Sequence, residues 1–253
     1  MASAEKIRLD KLLLQRGLVP SRERAQALIL AGKVLINEQK MEKSGALVDS
    51  ESAIRLLGED LKYVSRGGLK LDHALEHWKI DVAGKIGLDV GASTGGFTDC
   101  LLQRRATRVI AVDTGHGQIA YNLRQEPRVR LLEKTNARYL TREQLGETVD
   151  LIAMDVSFIS STLLLPPVIA AAFPDDPVAR HGHEIIVLVK PQFEAGRDKV
   201  GKGGIVKDEA VQQQAVEKVR SCMVSLGAES TDVIDSPILG AEGNREFLLF
   251  SKF

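Results

Sequence analysis

The sequence predicts an α/β protein in which a small α+β module precedes a larger, mostly parallel sheet covered by helices. Three observations carry that expectation. After residue 86, short apolar runs at 87–90, 108–112, 149–154, 185–189 and 247–250 alternate with helical segments. Strands alternating with helices pair in parallel, and near-continuous apolar runs mean burial on both faces. Before residue 58 the helices are too short to build a large core by themselves. Between the two regions, residues 58–64 turn polar and then mixed, which is the composition of a connector. The expected division is a first domain over 1–60, a linker over 61–64 and a second domain over 65–253.

Taken in order, residues 8–36 read as helix, turn, helix, strand. Leu9, Leu12 and Leu13 recur at helical spacing, and Gly17 can close that helix. Ser21 can cap the next one, whose inner face is Ala25, Leu28 and Ile29. Gly32 ends it, residues 34–36 read as a strand, and a β-rich stretch to about Leu57 closes the core. The whole chain is balanced, with 34 basic and 34 acidic residues, but its start is not. Lys6, Arg8, Lys11, Arg16, Arg22, Arg24 and Lys33 stand there against Glu5, Asp10 and Glu23. A local basic face binds phosphates even in a neutral protein. Arg8, Lys11, Arg22 and Lys33 are therefore candidate RNA contacts, with Arg66 in the second domain. Aromatic residues make up only 4% of the chain, so shape and backbone recognition is expected rather than extensive base stacking.

Several classes are disfavoured. No apolar run reaches the roughly 18 residues of a membrane span, and the N-terminus lacks a secretory apolar core. A cytoplasmic location is expected. Cys100 and Cys222 lack the spacing of a zinc or redox pair and read as reduced thiols. His181 and His183 flank Gly182 with no cysteine or acid at ligand spacing, so no metal site is expected.

The first strand of the second domain runs into Leu88-Asp-Val-Gly-Ala-Ser-Thr-Gly-Gly-Phe97, ahead of a helix. This is neither a GxGxxG nor a Walker A loop. A carboxylate at its mouth, Asp89, would repel a pyrophosphate and suits a ligand with a cationic end, such as the ammonium of a methionine moiety. Asp113, at the end of the next strand, can accept from both hydroxyls of a ribose. Asn136 and Ala137 follow the segment 129–132, where a third strand end would meet an adenine. Together these features fit S-adenosylmethionine better than NAD. The expected cofactor contacts are Asp89, Gly91, Ala92, Ser93, Thr94, Gly95, Phe97, Asp113, Asn136 and Ala137.

Four polar residues stand where such a sheet would gather them: Lys70 before the first strand, Asp155 and Lys190 ending apolar strands, and Glu246 opening the last strand. Charges at the ends of buried strands are costly unless paired. Two lysines and two acids can pair in one pocket. A ribose 2′-hydroxyl is a poor acid, and a lysine can take its proton when burial and a second cation make that lysine less basic. The basic, glycine-rich stretch 198–205 is either a phosphate cradle or a connector.

These strings resemble the TlyA family, also called hemolysin A-like proteins. The resemblance rests on Ser65-Arg-Gly-Gly-Leu-Lys70, Asp89-Val-Gly-Ala-Ser-Thr-Gly-Gly-Phe97, Lys134-Thr-Asn-Ala137, Asp155-Val-Ser-Phe-Ile-Ser160, Val189-Lys-Pro-Gln-Phe-Glu194 and Gly243-Asn-Arg-Glu246, and covers nearly the whole chain. It implies a Rossmann-like, FtsJ-like class I methyltransferase domain behind an S-four-type RNA-binding domain. It also implies 2′-O-methylation of cytidine ribose in ribosomal RNA, and a Lys-Asp-Lys-Glu tetrad falling on Lys70, Asp155, Lys190 and Glu246. Members of the longer type carry a helix after the last strand, whereas this sequence stops at Phe253. The large ribosomal subunit is thus the first expected substrate, with the small subunit also open. Two alternatives stand beside this reading: a membrane-active hemolysin, for which no inserting segment is visible, and an RNA-binding protein with an inactive methyltransferase fold.

Overall fold

The leucines of the first helix and the apolar face of the second share one buried cluster, as their spacing requires. The computed structural model describes residues 6–19, 21–57, 62–240 and 243–253. It divides into two units, Met1–Asp60 and Leu61–Phe253. In the first, β1 (Lys6–Arg8) leads into α1 (Leu9–Gln15), then α2 (Arg22–Leu30), β2 (Val34–Ile36), β3 (Gln39–Met41), β4 (Leu47–Asp49) and β5 (Ile54–Leu56). The Ser21 hydroxyl accepts from the Arg24 amide at 3.2 Å and caps α2. β2 and β3 meet through a two-residue turn, Asn37 and Glu38, both left-handed, as tight hairpins require. β2 lies between β3 and β5, and β1 pairs with β4. The short strand β1 was not anticipated. Its three residues are stabilised by pairing with β4, not by local pattern.

The second unit contains α3 (Arg66–His77), β6 (Ile86–Val90), α4 (Gly96–Gln103), β7 (Arg108–Val112), α5 (Tyr121–Arg124), β8 (Val129–Leu132), α6 (Arg142–Leu145) and β9 (Leu151–Met154). It continues with α7 (Leu165–Ala172), α8 (Pro177–Arg180), β10 (Glu184–Val189), α9 (Pro191–Glu194), α10 (Glu209–Ser225), β11 (Ser230–Asp235) and β12 (Phe247–Lys252). The sheet order is β11-β12-β10-β9-β6-β7-β8. β6 to β10 are mutually parallel, and β12 runs against both of its neighbours. Alternate residues along each central strand enter two separate apolar clusters. Leu88 and Val90 enter one, Ala111 and Val109 the other, so the sheet is buried on both faces.

Of the expected connector, residues 58–61 lie outside the described residues, as do 1–5 at the N-terminus. Residues 62–64 are docked on the second unit. Tyr63 is buried, Lys62 pairs with Asp72 at 2.8 Å, and the Val64 amide donates to Asp99 at 2.8 Å. Gly68 lets the Tyr63 ring lie directly against α3, since a Cβ there would enter the ring.

Candidate active site

The parallel strands all end at one edge of the sheet, and the strand order reverses between β6 and β9. A crevice opens at such a point because the chain leaves the two strands in opposite directions. Two adjoining cavities lie there. The larger, of about 480 Å³, is lined by Gly91, Ser93, Asp113, Asn136, Ala137 and Asp155 among others. The smaller, of about 120 Å³, is lined by Ser65, Lys70, Asp89, Gly91 to Thr94, Gly96, Phe97 and Asp155.

The loop after β6 is shaped for close approach. Gly91 has φ +87°, and a Cβ on it would strike the backbone carbonyl of Asp155. Asp113 fixes the opposite side by accepting from the amides of Ser93 (2.7 Å) and Gly115 (2.6 Å). Asp89 sits deeper than the loop mouth expected for it, because β6 continues to Val90 and turns its side chain inward. It is fully buried. One carboxylate oxygen accepts from the Thr98 amide (2.9 Å) and hydroxyl (2.6 Å), while Oδ1 meets no donor. Burial, aided by the nearby charges of Asp155 and Asp113, raises its pKa to about 7 against the pull of the Thr98 bonds. Gly95 also departs from expectation. It lines neither cavity and packs on Leu123 and Ile119, while Gly96 takes the lining position. Asn136 lines the larger cavity, and its side-chain oxygen caps the following turn by accepting from the Arg138 amide at 3.0 Å.

The four polar candidates come together as two ion pairs. Lys70 on α3 meets Glu246, and both are enclosed, with side-chain exposures of 10% and 3%. Lys190 stands 2.6 Å from Asp155 Oδ1 and donates to the Ser157 hydroxyl at 2.9 Å. Lys70 and Asp155 line the same small cavity, which links the pairs. Glu246 reaches this edge because β12 is antiparallel. Its first residue, Phe247, pairs with Val189 at the end of β10, so Glu246 and Lys190 flank one register position. The neighbouring Arg245 turns the other way, to Asp235 at 2.8 Å.

Ser157, the partner of Lys190, was missed, and so was Phe158. Phe158 is 92% exposed, holds a left-handed backbone (φ +65°), lines the larger cavity and lies 5.2 Å from the Phe193 ring. A bulky residue rarely holds that conformation, and its place beside the cavity makes Phe158 a candidate functional residue. The one available signal was its place in the string after Asp155. In the first unit, Arg8 and Arg22 each lie 2.9 Å from the buried Asp10, which also accepts from Gln26 at 3.0 Å. The Arg8 hydrogen bond, with those of Gln26 and Arg22, holds the Asp10 carboxyl well below the usual range against its burial. Both arginines keep about two-fifths of their side chains exposed, and Lys11 and Lys33 are exposed. Arg66 is exposed and donates to the Leu239 carbonyl at 2.5 Å. The stretch 198–205 forms short turns, with Lys199 bound to Gln214 at 2.8 Å, and lines neither of these two cavities. Cys100 and Cys222 are free thiols, and burial pushes the Cys100 thiol up to about 12.

A glycine loop after the first of five parallel strands, with acids at the first two strand ends and a strand inserted antiparallel near the far edge, defines a methyltransferase fold. The FtsJ-like methyltransferase model matches residues 63–253, and the S4 domain model matches residues 7–54. The chain belongs to the S4-bearing, FtsJ-like methyltransferases of the TlyA and hemolysin A family. It is 44% identical over 248 residues to the 16S/23S rRNA (cytidine-2′-O)-methyltransferase TlyA of Mycobacterium tuberculosis, covering 98% of this chain and 90% of that protein. It is 38% identical over 243 residues to Hemolysin A of Brachyspira hyodysenteriae, covering 96% and 98%. A solved structure named as a hemolysin, from Streptococcus thermophilus, is similar with a TM-score of 0.71 and 39% identity, covering 99% of this chain and 90% of that one.

Proposed function

We propose that this methyltransferase acts on the ribose 2′-oxygen of a cytidine in ribosomal RNA, using S-adenosylmethionine, and works in the cytoplasm where its substrate lies. The observation that carries the reading is the two ion pairs, Lys70–Glu246 and Lys190–Asp155, on the wall of the cavity behind the glycine loop. The residues fit the cofactor. The unpaired, buried Asp89 Oδ1 is an acceptor suited to an ammonium, Asp113 has lone pairs left for ribose hydroxyls, and Gly91 leaves room for a ligand against the backbone. Asn136 and Ala137 border the space for an adenine. When bound, S-adenosylmethionine supplies a methyl group on a cationic sulfur, the electrophile of the transfer.

The chain's own residues do the remainder. Lys190, in its neutral amine form, takes the proton of the 2′-hydroxyl and becomes the ammonium that Asp155 pairs, while Ser157 helps to fix where its nitrogen stands. Lys70 holds the hydroxyl oxygen in line, and Glu246 holds Lys70. A target nucleotide turned out of its stack meets the exposed ring of Phe158. Arg8, Lys11, Arg22 and Lys33 engage phosphates of folded RNA, with Arg66 contributing from the second unit. No helix among the described residues is long and apolar enough to cross a membrane, and the ion-paired site gives the hemolysin reading no role.

The test is incubation with methyl-labelled S-adenosylmethionine and unmodified ribosomal subunits, large and small separately. Label in alkali-resistant dinucleotides is expected on one or both subunits. Lys190→Ala is expected to abolish transfer and leave cofactor binding nearly intact. Loss of both functions would sink the role given to Lys190. Absence of label on either subunit, with cofactor bound, would overturn the substrate assignment.

A further inference from the structure

Glu194 is a buried carboxylate outside the tetrad, 6% exposed, at the end of the short helix that follows Lys190. Three donors converge on it. The Ser161 amide and hydroxyl both reach Oε1 at 2.6 Å, and the Ser160 hydroxyl reaches Oε2. Lys218 of α10 stands 3.4 Å from Oε2 and donates to the Glu194 carbonyl at 2.9 Å and to the Ser160 hydroxyl at 3.2 Å. A carboxylate offers acceptors on both oxygens to such a set. Its burial is stable because the charge is fully hydrogen-bonded.

The position of this contact matters more than its strength. The loop after β9 carries Asp155, Ser157, Phe158, Ser160 and Ser161 in turn. The segment after β10 carries Lys190, Phe193 and Glu194. The two meet in three successive rungs: Lys190 with Asp155 and Ser157, Phe193 with Phe158, and Glu194 with Ser160 and Ser161. Phe158, in the middle rung, is open to solvent, while Glu194 and Ser161 in the last are buried. The Glu194 rung is the most enclosed of the three and is tied by the most hydrogen bonds.

We propose that Glu194 is a positioning residue for methyl transfer, clasping the Asp155–Phe158 loop to the Lys190–Phe193 segment. Its effect on rate rests on the methylation reading above; its effect on the loop does not. Glu194→Gln keeps the shape but turns a donor toward the serine donors. Misplacing reacting groups by about 1 Å costs up to ~100-fold, so kcat on ribosomal RNA is expected to fall roughly 10- to 100-fold. The KM for S-adenosylmethionine should change less than kcat, because Asp89, Asp113 and Asn136 lie outside both segments, although Asp155, Ser157 and Phe158 border the same cavity. Ser160→Ala, which removes one donor at a half-buried position, should lower kcat less and leave thermal stability near wild type. Hydrogen exchange at the Ser161 amide reads the clasp without activity and should accelerate in Glu194→Gln. Wild-type kcat in both variants would overturn the positioning role, as would a fall in kcat matched by an equal loss of cofactor-binding sites. Unaccelerated exchange in Glu194→Gln would overturn the clasp itself. An inactive wild type with a protected Ser161 amide that is released in Glu194→Gln would sink the methylation reading and leave the clasp standing.

Discussion

Glu246→Ala would leave the Lys70 ammonium inside the protein without its counter-charge. The side chains are 10% and 3% exposed, so water cannot replace the lost partner in place. Removing one member of a buried pair costs about 3–5 kcal/mol. A domain of this size loses about 2–4 °C of melting temperature per kcal/mol, so the second unit should melt roughly 6–20 °C lower. A double variant separates the charges from the shape of the pair. Lys70→Met with Glu246→Gln removes both charges at nearly constant volume, and should recover most of the lost stability. It should not recover methyl transfer. Thermal unfolding of wild type, Glu246→Ala and the double variant, each paired with a transfer assay on ribosomal subunits, makes the comparison. A Glu246→Ala protein melting with wild type, or a double variant no more stable than Glu246→Ala, would refute the buried-pair argument. Transfer at the wild-type rate by the double variant would refute its place in the site.

Three further expectations follow from the geometry. Gly91→Ala should cost about 1–2 kcal/mol for the left-handed backbone alone, more with its Cβ against the Asp155 carbonyl, and should abolish cofactor binding measured by titration calorimetry; normal binding would mean that the loop yields. Asp89 has its pKa raised to about 7 in the fold, chiefly by burial. Because this acid's pKa is raised rather than lowered, stability falls as pH climbs from about 4 to 7, and Asp89→Asn should remove that slope in thermal unfolding. Cofactor affinity should instead rise through about pH 7, with proton release on binding below it, and both effects should vanish in Asp89→Asn. Phe158→Ala should leave the melting temperature unchanged, since the ring is exposed, yet weaken the RNA step by about 1–3 kcal/mol, or roughly 5- to 150-fold in kcat/KM. An unaltered kcat/KM would remove Phe158 from the nucleotide pocket.

Much of this site is legible in the sequence because buried strands end abruptly. Asp155 and Lys190 each follow an unbroken apolar run, and a charge there has to face the open edge of the sheet. Glu246 carries no such mark. It precedes its strand, and only the antiparallel course of β12 brings it to Lys70. β11 was overlooked because an edge strand needs little apolar surface, and Ser230, Thr231, Asp232 and Asp235 disguise it. Ser157 and Phe158 stand in a loop and Glu194 ends a four-residue helix, where residues meet without any period to read. The depth of Asp89 and the exchange of roles between Gly95 and Gly96 depend on where a strand stops and a helix starts, which pattern leaves open by a residue or two.

The placement of β12 has an implication for how the enzyme is made. It inserts between β10 and β11, so when β11 leaves the ribosome the strand it will pair with has not yet been translated. A nascent chain can assemble the cofactor half, β6 to β8, long before that. Glu246 and the sheet's missing rib then arrive within a few residues of each other. A frameshift or stop codon upstream of this point therefore removes Glu246, the partner of Lys70, and leaves β10 and β11 without the strand between them in the same event.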